Sequence, residues 1–350
     1  MRTLPPTPNI AAMLQAGRVV PFLGAGVNTR PDPAAVWKKG SPFLPRGAEL
    51  SEYLAHMNAF PSDDPLDRRD LAKVASYAVE ASGRTALREN LRAVFEREYE
   101  PCAVHHYLAS VPSNLLIVTT NYDDLTEAAF RRAGREFHLV VHPTDRQDAE
   151  AAVLWWRPGR DEPEEVSPNG LRLKPGTAPI IYKMHGTVYR HAGGRAELIG
   201  VPEAVEAALA GPAEEDADLA DLPEPPRPDR WDSYVITEDD YVEFLSRMTA
   251  QSVVPSHFIQ HFQRSHFLFL GYGLNDWNLR VVLRNLRRAV PGGAGSAQAA
   301  PGAAGPSWAI QYRPSVLETR LWEARQVDIY DMDIDGFVSA LAAEREELGT

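Results

Sequence analysis

Four short stretches bring together groups able to do chemistry: "GAG" at 24–26, "NYDD" at 121–124, "HG" at 185–186 and "GYGLND" at 271–276. The amide of Asn121 can hold a water or a ribose hydroxyl, and the carboxylate of Asp123 can accept from an amide or hydroxyl. His185 is a candidate general base or hydrogen-bond partner for a sugar hydroxyl, because imidazole titrates near neutrality. Gly24, Ala25 and Gly26 form a turn whose backbone N–H groups can come close to a pyrophosphate. Gly271 and Gly273 offer a second cradle of that kind, for phosphate or ribose, with Asn275 a further candidate beside them. Each stretch also has a plain structural reading. A Gly-Ala-Gly turn can simply join a strand to a helix, and Asp123 or Asp124 can cap the helix that starts at "LTEAAFRRA". His185 can be a structural histidine, and Asp276 the N-cap of "WNLRVVL".

Other chemistries find less support. The lone cysteine, Cys102, excludes an internal disulfide and a cysteine-rich zinc site. His257 and His261 have the spacing of a metal pair on one helix face, yet no Glu, Asp or Cys nearby offers a third ligand. His105 and His106 fall at a helix start. There is no Ser-His-Asp order, nucleophile elbow or Walker lysine. No metal is expected.

The elements that must position these groups are legible as apolar runs. "RVVPFL" (18–23), "LLIVTT" (115–120), "IIYKM" (180–184), "HFLFL" (266–270), "WAIQY" (308–312) and "VDIYDM" (327–332) read as buried parallel strands. Pro21 inside the first run would delete a ladder bond, so it is expected at the strand's beginning or at a bulge. Between the runs, "TALRENLRAVFERE" puts Leu87, Leu91, Val94 and Phe95 on one helical face, and "NLRVVLRNLRRAV" does the same with Leu279, Val282, Leu283 and Leu286. This alternation predicts an α/β fold with a doubly wound, Rossmann-like parallel sheet. Ligands of such sheets bind beyond the carboxyl ends of the strands, where strand order reverses. Each of the four reactive stretches directly follows one of these runs, so parallel strands would bring all four to one edge.

The 350 residues read as one domain, 1–350, with insertions at about 143–179, 191–232 and 291–306. Asp and Glu outnumber Lys and Arg 48 to 36, a formal net charge of −12, which argues against binding DNA or anionic membranes through the overall field. The N-terminus lacks the apolar core of a signal peptide and no stretch reaches transmembrane length, so a cytoplasmic location is expected.

In this order, the four stretches resemble the NAD-binding core of the sirtuin family. "GAGVN" (24–28) matches its glycine turn, "TTNYD" (119–123) its Thr-x-Asn-x-Asp element, "KMHG" (183–186) its Lys-x-His-Gly segment and "GYGLND" (271–276) its second glycine turn. "DSYVITEDDY" (232–241) before "FLFLGYGLNDWNLR" is similar to the prokaryotic sirtuin-like branch of anti-phage defence systems. The resemblance implies that Gly24, Ala25 and Gly26 line the pyrophosphate, that Asn28 belongs to the cofactor site, and that Asn121 and His185 are catalytic. It places Asp123 by the nicotinamide carboxamide and Gly271 and Gly273 at the adenosine half, with Asn275 a further cofactor-binding candidate. Asp32, in "TRPDP", corresponds to the family's Pro-Asp-Phe-Arg loop without its Phe-Arg half. Protein-deacylating sirtuins carry a four-cysteine zinc module, for which this chain lacks the cysteines, and Asn28 stands where a serine is usual.

The expectation is therefore hydrolysis of NAD⁺ to nicotinamide and ADP-ribose, with NAD as substrate and the proline-rich 29–47 segment closing over nicotinamide as a gate. Two alternatives stand beside it: NAD-dependent protein deacylation or ADP-ribosylation, and a non-enzymatic sensor of ADP-ribose-type nucleotides. Relatives of this branch imply a homo-oligomer, or a partner such as a hexameric translocase-type ATPase or an Argonaute-type protein. No direct nucleic-acid or membrane contact is expected.

Overall fold

The six apolar runs form strands, joined by five further strands. In a computed structural model, which describes residues 4–143, 152–188, 231–249, 254–273 and 307–348, the strands are β1 (Val19–Leu23), β2 (Leu116–Thr119), β3 (His138–Val141), β4 (Val153–Trp156), β5 (Glu164–Val166), β6 (Ile180–Lys183), β7 (Gly186–Thr187), β8 (Ser233–Tyr234), β9 (His266–Leu270), β10 (Ser307–Gln311) and β11 (Val327–Asp331). Nine of them make one sheet in the order β11-β10-β9-β1-β2-β6-β3-β4-β5, while β7 and β8 pair separately. Every neighbouring pair from β11 across to β3 is parallel. Strands β4 and β5, inside the 143–179 segment, extend the β3 edge antiparallel. The chain starts at the middle of the sheet, builds outward through β2, β3 and β6, then returns to build the other side from β9. Strand order thus reverses at β1, which places a ligand crevice at the carboxyl ends of β1, β2 and β9.

Both sheet faces are covered. Successive strand residues alternate between faces, so Val20, Phe22, Val118, Tyr182 and Phe269 face one core while Val19, Leu23, Ile117, Ile181 and Leu270 face the other. The first core is closed by α7 (Glu238–Thr249), α8 (Ser256–Phe262) and α9 (Val316–Glu323), through Phe244, Phe258 and Trp322. The second is closed by α1 (Thr7–Gln15), α5 (Ala103–Ser110), α6 (Leu125–Arg132) and α10 (Ile334–Leu348), through Leu14, Leu108, Phe130 and Phe337.

A third core lies off the sheet, mostly from the chain between β1 and β2, with Tyr122, Leu125, Val188, Tyr234 and Ile236 added from beyond β2. It joins α2 (Gly47–Met57) to α4 (Leu71–Phe95), with the short α3 (Pro65–Arg68) between them. The expected face of Leu87, Leu91, Val94 and Phe95 is buried there. Helix α4 breaks at Gly83, whose φ of 83° and ψ of 162° are not helical. This helical lobe rises beside the carboxyl edge of the sheet and forms the second wall of the crevice.

Pro21 departs from expectation: it sits in the middle of β1, in register with Leu268 of β9. Leu23 accepts from Thr120 N–H of the β2 side, so by alternation Pro21 faces β2 as well. Registered pairing with β2 begins only at Phe22, so the missing donor falls where that ladder has not yet started. Residues 191–230, the helix expected over 278–290 and the 291–306 stretch lie outside the described residues.

Candidate active site

The two glycine turns pack on each other. Gly24 N–H donates to Leu270 O at 2.9 Å, and Gly26 N–H donates to Gly271 O at 2.9 Å. A Cβ on Gly24 or Gly26 would stand 2.8 Å from Gly271 O, and one on Gly271, whose φ is +72°, would stand 2.3 Å from Val27 N. Three of the four glycines therefore let the β1 and β9 turns touch backbone to backbone. Gly273 is different: it is exposed, and a Cβ there would meet nothing within 4 Å. Ala25 is exposed at the crevice.

The turn after β2 is held from several directions. Thr119 Oγ1 donates to Leu23 O at 3.0 Å and accepts from Asn121 N–H at 3.0 Å. Asn121 Nδ2 donates to Gly24 O at 3.3 Å, which fixes the amide and leaves its Oδ1 without a partner among the described residues. Asp123 is engaged twice: Oδ1 accepts from Leu125 N–H at 3.2 Å at the start of α6, and Oδ2 accepts from Asn28 Nδ2 at 2.9 Å. Asp123 thus supplies the expected capping bond, whereas Asp124 pairs with Arg131. The link from Asn28 to Asp123 spans 95 residues and accounts for an asparagine at this position.

His185 stands at the carboxyl end of β6 and is only 6% exposed. Tyr241 and Phe244 of α7 meet its ring edge-on, with centroids 5.6 and 5.0 Å away. Burial pushes the His185 pKa down to about 3, so its imidazole is neutral across the physiological range. Gly186, at φ +88°, lets the chain pass under β8, since a Cβ there would lie 2.0 Å from Ser233 O. Lys183, two residues before His185, is fully buried and pairs with Glu127.

The "DSYVITEDDY" stretch explains how α7 is seated. Asp240 Oδ2 accepts from Ile236 N–H at 3.0 Å, Thr237 N–H at 2.9 Å and Arg84 Nη1 at 2.9 Å. Asp232 accepts from Arg92 at 2.7 Å, and Arg84 also donates to Tyr234 O at 2.9 Å. Two arginines of α4 therefore clamp this segment and set Tyr241 and Phe244 against His185.

These parts enclose a cleft of about 240 Å³. Of the residues expected at the site, Gly24, Ala25, Asn28, Asn121, Asp123, His185, Gly271 and Gly273 line it. Gly26 supports it from behind through its bond to Gly271. Asp32 does not line it; that carboxylate is exposed and accepts from Ala34 N–H at 2.9 Å. Asn275 lies outside the described residues. The helical lobe contributes Pro45, Gly47, Leu50, Leu71 and Phe95, and Tyr272 hydrogen-bonds Thr120 at 3.2 Å beneath the floor. Leu50 and Leu71 carry no sequence signal for the site; Phe95 reads only as part of a helical face, Pro45 and Gly47 belong to the 29–47 segment, and Thr120, Tyr122, Tyr241 and Tyr272 sit inside recognised motifs.

Segment 29–47 reaches the cleft through Pro45 and Gly47 and is organised around a partly buried ion pair. Arg30 pairs with Glu49 and donates to Ala35 O at 2.7 Å and Leu44 O at 3.2 Å. The hydrogen bond from Arg30 holds the Glu49 carboxyl down at about 2. A second cavity of about 390 Å³ shares Asn28 in its wall. Ligand pockets commonly enclose roughly 300–1,000 Å³, so the cleft alone is small for a dinucleotide while the two cavities side by side reach that range. Open backbone at Ala25 and Gly273, with an Asn121 amide oxygen unpartnered among the described residues, gives phosphate and hydroxyl groups places to bond.

Among the described residues, no group of three or more His, Cys, Asp or Glu could hold a metal ion, and no helix is long and apolar enough to cross a membrane. The family model of the SIR2-like domain matches residues 115–330. A solved structure from work on the structural basis for the mechanism and regulation of Sir2 enzymes is similar at a TM-score of 0.42 and 11% identity, over 98% of this chain and 97% of that one. No curated protein matches the chain.

Proposed function

The chain belongs to the SIR2-like domain family, and from that membership we propose that it takes NAD⁺ as substrate and hydrolyses the nicotinamide–ribose bond to give nicotinamide and ADP-ribose. One observation carries the reading: Asn121 and His185, delivered by different strand ends, line a single cleft together with both glycine turns. Breaking this bond develops an oxocarbenium-like cation at the anomeric carbon, as in glycoside cleavage. The protein's part is to orient the sugar and one water, and to keep other nucleophiles out.

Asn121 suits the first task. Its Nδ2 is tied to Gly24 O, so Oδ1 is presented in a fixed direction and can accept from the attacking water. His185 suits the second. A general base works best with a pKa near the operating pH, whereas burial leaves His185 at about 3. Its role is therefore a hydrogen bond to a ribose hydroxyl rather than bulk proton abstraction. The same reading makes the chain an NAD-depleting effector of anti-phage defence, acting in the cytoplasm and restrained by its own oligomerisation or by a partner.

Mass spectrometry of products from NAD⁺ alone, with and without neighbouring gene products, tests the reaction. Nicotinamide and ADP-ribose should appear in equal amounts, and Asn121→Ala or His185→Ala should reduce their release by at least about 100-fold, the scale of losing a positioned catalytic group. Unchanged turnover by folded Asn121→Ala would remove the mechanism. Nicotinamide released only when an acylated or acceptor protein is present would favour transfer over hydrolysis.

A further inference from the structure

Lys183 is fully buried at the carboxyl end of β6, and each of its three N–H donors has an acceptor. It donates to Asp123 O at 2.6 Å, to Tyr122 O at 3.2 Å and to Glu127 Oε1 at 3.0 Å. The two carbonyls belong to the turn between β2 and α6, the one that carries the Asn121 and Asp123 side chains. A buried carbonyl must find a donor, and one bonded by an ammonium is held more strongly than by a neutral group. Tyr122 O gains a second donor in Val188 N–H at 3.0 Å, just beyond β7, so the chain leaving His185 grips the same turn.

We infer that Lys183 is a positioning residue: through the Tyr122 and Asp123 carbonyls it sets the Asn121–Asp123 turn against His185, while Glu127 only neutralises its charge. The geometry separates the two jobs. Glu127 lies in the first turn of α6 and does not line the cleft; among the described residues its side chain bonds only to the lysine, whereas Lys183 touches the turn itself. Because β6 ends in Lys183 and continues through Met184, whose N–H bonds Thr119 O at 2.9 Å, one strand end fixes both halves of the candidate catalytic pair. The activity arm of the test rests on the NAD⁺ reaction proposed above.

The experiment compares Lys183→Met, Glu127→Gln and the double variant Lys183→Met/Glu127→Leu. Removing one partner of a buried pair leaves an uncompensated charge, while replacing both by apolar groups is often neutral. Both single variants should therefore lower Tm, and the double variant should recover the part due to the unpaired charge while still lacking a donor for Asp123 O. Nicotinamide release should follow a different order. Glu127→Gln keeps the lysine's bonds to both carbonyls and should retain kcat within about 3-fold, whereas the double variant should lose about 100-fold in kcat with little change in KM, the penalty of displaced reacting groups. Hydrogen exchange at the amides of residues 122–125 should quicken in the double variant and not in Glu127→Gln. A double variant with normal kcat and normal exchange overturns the inference, as does Glu127→Gln losing as much kcat as Lys183→Met. The exchange arm needs no turnover. If the wild-type chain releases no nicotinamide, the hydrolase reading fails while the exchange pattern still decides the role of Lys183.

Discussion

At the scale of single residues, burial decides what the histidines can do. His185 and His142 are pushed down to about 3 and His105 to about 4, each chiefly by desolvation. The ordinary value is 6.5, so as pH falls the unfolded chain binds protons before the folded one. The stability that depends on neutral imidazoles is therefore complete above about pH 6.5 and drains as pH falls toward 3–4. Glu49 adds to the same side: lowered to about 2, its contribution is full above 4.5 and lost as pH falls through 2. Tm should decline steadily below pH 6.5. His142 offers a clean check, because neither ring nitrogen has a hydrogen-bond partner among the described residues and the ring packs against Phe244 at 5.9 Å. His142→Leu should leave Tm at pH 7.5 unchanged or higher, since a buried polar group without a partner costs stability, and should flatten the decline between pH 6.5 and 4. A decline as steep as the wild type's would mean that His142 is not a source of the acid sensitivity.

At the scale of elements, the sequence was most readable where strands are buried on both faces. The six apolar runs needed no tertiary information, because a central parallel strand is apolar throughout. Strands β4 and β5 were hidden in a segment rich in proline and charge, and β5 exposes Glu164 and Glu165 at the sheet edge. The first half of α4 escaped notice for another reason: Val74, Ala75 and Ala78 make a narrow apolar face that ends at Gly83. Motif glycines were legible as turns, but not what surrounds them, because the β1 and β9 turns are almost 250 residues apart. That contact yields a contrast within one motif. Gly271→Ala should cost at least about 2 kcal/mol from its positive φ and the clash with Val27, while Gly273→Ala should leave Tm unchanged. Any rise in KM for NAD⁺ in Gly273→Ala then reports ligand contact alone, and equal melting losses in both variants would refute the packing account. Helix α7 follows the same logic. Asp240→Ala strands two backbone N–H donors and removes the carboxylate partner of Arg84, so it should cost about 2–3 kcal/mol. Its kcat should fall as Tyr241 and Phe244 loosen from His185; a destabilised variant with normal kcat would show that these rings merely fill space.

At the scale of the whole molecule, the reversal of strand order at β1 and the acidic charge bear on function together. The fold concentrates the candidate chemistry at one sheet edge, against a helical lobe, while the chain as a whole carries a formal charge of −12. A polyanion approaching this molecule meets repulsion of long range at low salt, and nothing in the net field compensates for it. On the function proposed above, the anionic part of NAD⁺ would be held by short-range donors at the cleft rather than by steering; the N–H groups of Gly24 and Gly26 are already bonded to the β9 side. Two consequences separate this view from direct nucleic-acid sensing. First, kcat/KM for NAD⁺ should stay flat or rise as salt goes from about 20 to 200 mM, because screening removes repulsion rather than attraction. Second, a fluorescent single-stranded DNA or RNA should show no binding to the purified chain at about 50 mM salt, a condition that would strengthen any phosphate contact. Non-specific binders of nucleic acid reach Kd values of roughly 10⁻⁴–10⁻⁶ M even at physiological salt. A tighter value for this chain, weakening steeply with salt, would reveal a local basic surface that acts against the overall charge and would overturn this view.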